Sequence, residues 1–228
     1  MAALTLLPNG DLAGESRELL AALSQLEWGP DFYLAGSAAL TLYLAHRPVR
    51  DLDLMSSVRR LRANERRDLL QDLLRVDAAL RVETARDGFL YVRASSGVAL
   101  RFYYYPYPLA DAEEALGEMP VASAVDLGLM KLGAIISRGT RRDFVDLFLL
   151  CQRLPLASLL ERSLDKFGHV GDFPLQAFKG LADLSQIDGE AMPSLAVGIT
   201  WEEVEDWLQG EVRTLGRQYV GLDASGKE

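Results

Sequence analysis

The sequence predicts an α+β fold: a small mixed β-sheet with flanking helices, followed by a helical C-terminal unit. Three observations carry this expectation. Residues 79–105 hold three runs rich in β-branched and aromatic residues, parted by Asp87-Gly88 and Ser96-Gly97. Upstream, helix-like and strand-like patterns alternate. From Val121 onward the apolar residues recur only at helical spacing. A chain of 228 residues with 49% hydrophobic and 25% charged side chains can bury a substantial core.

Residues 12–28, "LAGESRELLAALSQLEW", have the period of an amphipathic helix. "FYLAG" is a short strand. "SAALTLYLA" reads as a helix capped by Ser37, because a serine hydroxyl can accept from the free N–H groups of a helix start. Pro48 breaks that helix, and residues 50–55 alternate as a strand. "ANERRDLLQDLLRV" is a second amphipathic helix. "ALRVET", "FLYVRA" and "VALRFYYY" are the three β runs, ended by Pro106 and Pro108. The later helices are "VASAVDLGLMKLGAIIS", "RRDFVDLFLLCQRL", "LASLLERSLDKF", "FPLQAFKGLADL" and "TWEEVEDWLQGEVRTLGRQYV". Thr200 and Glu203 fit a capping box before the last one. The expected division is an α/β core at 1–118 and a helical domain at 119–228.

The net charge of −9 is unevenly spread. Residues 180–212 contain eight acids and no Lys or Arg, whereas 59–67, "RRLRANERR", carries five Arg against one Glu. A nucleic-acid partner is therefore compatible with the acidic total, because local patches decide such binding. A solvated Arg-rich helix face is the competing reading. One cysteine, Cys151, excludes an internal disulfide framework, and its apolar helical setting reads as core. No run is long and apolar enough for a membrane span, and the N-terminus lacks a signal pattern, so a cytoplasmic protein is expected.

Two blocks carry chemistry. In "FYLAGSAALTLYLAHRPVRDLDLM", Asp51 and Asp53 stand two apart in a strand pattern, which sends both carboxylates to one face. Like charges this close repel unless a cation lies between them. Mg²⁺ suits such a pair, since it is held by one or two carboxylates together with substrate phosphates. Gly36-Ser37, between strand and helix, permits a sharp turn whose free N–H groups and hydroxyl can meet a phosphate. In "DLGLMKLGAIISRGTRRDFVDLFLL", Lys131 and Arg138 lie two helical turns apart, and Asp143 and Asp146 share a face of the next helix. A salt-bridge network is one reading of that block, and an anion site around the Lys131 amine is another.

Together the blocks resemble the minimal nucleotidyltransferases of the AbiEii/AbiGii toxin type, in the polymerase-β-like superfamily. Gly36 and Ser37 match the family's Gly-Gly/Ser turn, with Ala35 where the first glycine is common, Arg47 matches its arginine, and Asp51 and Asp53 match its metal carboxylates. Lys131, Ala134, Arg138, Arg142, Asp143 and Asp146 match its second motif. Val49 stands where serine is usual. The resemblance covers roughly residues 30–150. It implies a nucleotidyltransferase core completed by the helical domain, with Mg²⁺ and an NTP as substrate. Asp51 and Asp53 would hold metal, and Asp51, Asp53, Lys131 and Asp146 would be catalytic. Gly36, Ser37, Arg47 and Arg138 would bind the nucleotide. The acceptor stays open between a tRNA 3′ end and a cationic small molecule such as an aminoglycoside, and an antitoxin protein is an implied partner. The strand that should supply a third carboxylate offers Arg101, with Glu83 and then Asp87 as alternatives. A nucleotide-binding or interaction protein with weak or no turnover therefore stands as the rival reading.

Overall fold

The computed structural model describes residues 5–7, 12–187 and 189–220. It has a seven-stranded mixed sheet and eight helices among those residues, which is the expected α+β class. Contacts divide the chain inside one helix into Ala2–Leu127 and Gly128–Glu228.

The first unit opens with α1 (Gly14–Ser24) and β1 (Tyr33–Ala35). Next come α2 (Gly36–Leu44), β2 (Leu52–Ser56) and α3 (Ala63–Val76). The three expected β runs are β3 (Arg81–Arg86), β4 (Phe89–Arg93) and β5 (Ala99–Tyr104). Gly88 and Gly97 sit at φ +78° and +87° in the turns between them, a conformation that only glycine adopts without strain. Two further strands, β6 (Glu114–Leu116) and β7 (Met119–Val121), form a hairpin that the sequence pattern does not announce. Each has three residues, too few to show a period, and Pro120 lies within β7. The segment read as helix from Val121 begins as this strand, and α4 (Ala124–Ser137) starts three residues later.

The strand order is β3-β4-β5-β2-β1-β7-β6. β2 runs antiparallel to β1 and parallel to β5, and β4 runs antiparallel to β3 and β5. Register sorts the side chains by face. Leu54, Phe102 and Leu90 form one cross-strand row, and Leu52, Leu100 and Val92 another. All six are at most 1% exposed, and each contributes about 1.5–3 kcal/mol of burial. The alternate row, Asp53, Arg101 and Tyr91, must then point to the opposite face, where all three are half-buried. α2 packs on β1 and β2, and Ala38, Ala39, Leu40, Leu42 and Tyr43 on it are buried.

Only Leu69 and Leu73 of α3 are buried, so its remaining surface is solvated. Arg59, Arg66 and Arg67 in the Arg-rich segment pair with Asp31, Asp87 and Asp68. Three of that segment's five arginines thus have an acidic partner within the unit.

The second unit continues α4 and adds α5 (Arg141–Cys151), α6 (Leu156–Phe167), α7 (Phe173–Ala182) and α8 (Trp201–Val220). α8 packs against α5 and α7, with Val204, Leu208 and Leu215 buried. The expected capping box forms: Glu203 accepts from the Thr200 N–H at 2.7 Å, and the Glu203 N–H donates to the Thr200 hydroxyl at 3.2 Å. Glu190 of the acidic stretch accepts from the Arg141 N–H at 2.7 Å, at the start of α5. Asp188 lies outside the described residues. Cys151 is half-buried, and burial, with Glu211 as a lesser cause, pushes its thiol pKa well up. A thiol reagent at pH 8 is expected to modify the native chain roughly a hundredfold more slowly than the unfolded one, which timed labelling would measure. No helix among the described residues is long and apolar enough to cross a membrane.

Candidate active site

In the first unit, β1 runs directly into α2 with Gly36 at the junction, at φ +60°. A Cβ added there would lie 2.5 Å from Asp53 Oδ2. Only glycine therefore lets the helix start approach the strand carboxylate so closely. Gly36→Ala would force the left-handed backbone and push on Asp53. It is expected to cost about 1 kcal/mol of stability and, through misplacement of the carboxylate, about 10²-fold in turnover. Thermal melts and steady-state kinetics measure the two effects separately.

Ser37 does not cap α2. The cap position is Ala35, with no side-chain hydrogen bond there, and Ser37 lies inside the first turn. Its hydroxyl instead accepts from the Arg47 guanidinium. Arg47 is 7% exposed, so a cation is packed against the Gly36-Ser37 turn. The backbone carbonyl of Arg47 accepts from Thr41 Oγ1 at 2.7 Å, tying the segment after α2 to the helix. His46 is buried at 1% exposure, which removes it from contact with a ligand in this arrangement.

β2 begins at Leu52, so Asp51 immediately precedes the strand instead of lying within it. Both carboxylates nonetheless converge on one cation. Arg101 Nη2 lies 3.0 Å from Asp51 Oδ2, and Nη1 lies 3.4 Å from Asp53 Oδ1. The Ala99 N–H also donates to Asp51 Oδ1 at 3.3 Å. Arg101 stacks over the Tyr91 ring with its guanidinium carbon 5.1 Å from the centroid. Burial opposes the Arg101 charge, but Asp51 and Asp53 outweigh it and hold the guanidinium pKa above its ordinary value. Of the alternative acids, Glu83 pairs with Arg93 at 3.0 Å and Asp87 with Arg66 at 2.6 Å.

The first unit thus brings Gly36, Ser37, Arg47, Asp51 and Asp53 into one constellation. The second unit holds the other block by itself. Lys131 Nζ lies 3.0 Å from Asp143 Oδ1 and 2.7 Å from Asp146 Oδ2, and both acids are at most 1% exposed. Arg138, far more exposed, reaches Asp143 at 3.4 Å. Asp143, in the first turn of α5, also accepts from the Thr140 hydroxyl at 2.7 Å and from the Thr140 N–H at 3.4 Å, closing a capping box in which Thr140 is the cap. Burial raises its pKa, yet Lys131, Thr140 and Arg138 more than offset this and leave it below the usual carboxylate range.

A family model described as "Nucleotidyl transferase AbiEii toxin, Type IV TA system" matches residues 18–197, well over half of the chain. The chain belongs to the AbiEii nucleotidyltransferase family. An uncharacterized protein of Aquifex aeolicus (strain VF5) is 27% identical over 209 residues, which are 89% of this chain and 96% of that protein. JHP933 from Helicobacter pylori aligns with a TM-score of 0.48 at 15% identity, covering 93% of this chain and 98% of that one. A Megavirus polyadenylate synthase aligns at 0.43 and 12%, covering 62% and 32%. Both scores are too low to carry an argument about this chain.

For an AbiEii nucleotidyltransferase, a metal ion is the expected cofactor, and the donors present fit a hard dication in part. Asp51 and Asp53 offer two carboxylates on one rim, and a guanidinium already stands between them as a cation. Among the described residues no three His, Cys, Asp or Glu side chains cluster to hold a metal. Further ligands would have to be substrate oxygens and water, which is how Mg²⁺ sits at nucleotide sites.

Three side chains beside this constellation escape a motif search: Tyr91, Arg93 and Phe89. Alternation in "FLYVRA" places them on one face, but their neighbours Arg101 and Tyr103 follow only from strand pairing. Phe89 packs on Tyr103 with centroids 5.0 Å apart, and Arg86 lies over Phe89.

Proposed function

We propose that this protein transfers a nucleoside monophosphate from an NTP to an acceptor hydroxyl. The acceptor oxygen forms a bond to the α-phosphorus and releases its proton to solvent, the bond from the α-phosphorus to the bridging oxygen breaks, and pyrophosphate leaves with the electron pair. The observation that carries the reading is the convergence of Asp51 and Asp53 on one cation beside Gly36. Mg²⁺, when bound, neutralises triphosphate charge and polarises the α-phosphate. Asp51 and Asp53 are the carboxylates that hold it. The Gly36-Ser37 turn and Arg47 receive phosphate oxygens at the N-terminus of α2, where helix dipole and cation both favour an anion. Lys131, Asp146 and Arg138 enter on their motif. Within the second unit Asp146 orients Lys131 at 2.7 Å, and the family resemblance assigns Lys131 to developing negative charge and Arg138 to the nucleotide.

For the acceptor, a tRNA 3′ end ranks first. Phe89, Tyr91 and Tyr103, with Arg86, Arg93 and Arg101, line the same sheet face as Asp53, and such a face stacks unpaired bases. A cationic small molecule is the second acceptor, favoured by the acidic stretch 180–212. The family description, a toxin of a type IV TA system, supports an antitoxin partner. One observation favours a protein that binds nucleotide with little turnover: Arg101 occupies the strand position from which a third acid would act as general base.

The test is incubation with each α-labelled NTP, Mg²⁺ and total tRNA, reading RNA labelling and pyrophosphate release. Labelling with one NTP is the expected result. Metal-dependent NTP binding without pyrophosphate from any acceptor, aminoglycosides included, would overturn transfer in favour of the binding protein.

A further inference from the structure

We propose that Arg101 is a resident countercation of the Asp51–Asp53 pair, displaced when nucleotide and metal arrive together and then turned to the nucleotide's phosphates. The inference rests on the reading of the two aspartates as metal carboxylates.

The guanidinium fork spends one nitrogen on each carboxylate, at 3.0 and 3.4 Å. Its place is built by the fold. Arg101 stands opposite Asp53 on one side and Tyr91 on the other in a single cross-strand row, and the Tyr91 ring supports its flat face. Two carboxylates and one guanidinium leave a local charge of −1. A bare dication entering between the carboxylates would meet a positive group within contact range and would have to break both of its ion pairs. A metal–triphosphate complex brings enough negative charge to receive the released guanidinium, so metal and nucleotide bind with positive coupling. Arg101 is 28% exposed, Asp51 46% and Asp53 26%, so the exchange needs a side-chain rotation at an open surface and no strand movement.

The coupling makes Arg101→Gln change two affinities in opposite directions. Mn²⁺ binding to the full chain without nucleotide, followed by electron paramagnetic resonance, is expected to tighten about ten-fold. Binding of a fluorescent, non-hydrolysable NTP analogue in Mg²⁺ is expected to weaken by about the same factor. Arg101→Lys, a point charge that cannot bridge both carboxylates, should fall between, and it serves if the Gln variant fails to fold by circular dichroism. Unchanged Mn²⁺ affinity in both variants, with Asp53→Asn still weakening Mn²⁺ binding, would overturn the countercation role and leave the metal carboxylates standing. Tighter nucleotide binding, or none of the change expected for it, would overturn the transfer to phosphate. No saturable Mn²⁺ binding in any of these proteins, with or without the analogue, would overturn both this proposal and the metal reading beneath it.

Discussion

Asp53→Ala is expected to lower nucleotide transfer on the order of 10²-fold or more while leaving the chain folded. The side chain projects from the half-buried face of β2, opposite the row of Leu54, Phe102 and Leu90 that holds the sheet together. Its removal takes away no core packing. It does take away one of two carboxylates that converge on a cation, and the one that Gly36 is shaped to admit. Asp51, more exposed and outside the strand, cannot hold a metal in the same place alone. Arg101 also loses a partner and keeps only Asp51, a half-exposed pair that contributes little to stability. The checks are label incorporation from the preferred NTP and an unchanged thermal midpoint. Full incorporation by a folded Asp53→Ala protein would remove the proposed function.

The largest expected loss of stability follows Lys131→Met. Lys131 is the ammonium between two carboxylates that are almost wholly out of solvent, Asp143 and Asp146. Removing one partner of a buried ion pair leaves the other charge uncompensated and typically costs about 3–5 kcal/mol. Here two acids are left, although Thr140 and Arg138 still serve Asp143. Denaturant unfolding at pH 7 measures the loss. The pH dependence identifies its source. Asp143 is held below the usual carboxylate range in the native chain, so its contribution is complete above about pH 4 and disappears as pH falls through the depressed value. In the variant, acids that have lost the ammonium protonate more readily and their penalty shrinks in acid. The stability gap between wild type and variant should therefore be widest near neutrality and narrow below about pH 4. A gap independent of pH would mean that lost packing, and not lost charge pairing, sets the cost.

Much of the fold could be read from the chain. The helices fall where the sequence reads helix, α2 by its run of Ala and Leu and the others by their helical pattern, and β3, β4 and β5 follow their β-formers and Gly turns. The hairpin of β6 and β7 could not be read, because three-residue strands carry no period and Val121 owes its place to pairing with Leu34. Ser37 looked like a cap because serine at a strand–helix junction usually is one. The left-handed Gly36 moves the cap to Ala35 and hands the Ser37 hydroxyl to Arg47. Three arginines of the Arg-rich segment pair with Asp31, Asp68 and Asp87, of which nearness in the chain shows only Asp68. Two of those three acids lie well away in the chain.

By itself the sequence determined the residue types and spacings: Asp51 and Asp53 two apart, Gly36-Ser37 before a helix, and Lys131 to Asp146 in a helical block. Local chemistry decides these, since helix and strand periods dictate which side chains share a face. Tertiary structure alone decided what those side chains meet. Pairing of β5 beside β2 sets Arg101 between the carboxylates, and packing of α5 on α4 closes Asp143 and Asp146 around Lys131. Such meetings depend on strand order and helix docking, which bury apolar rows from distant segments, and no local period encodes them.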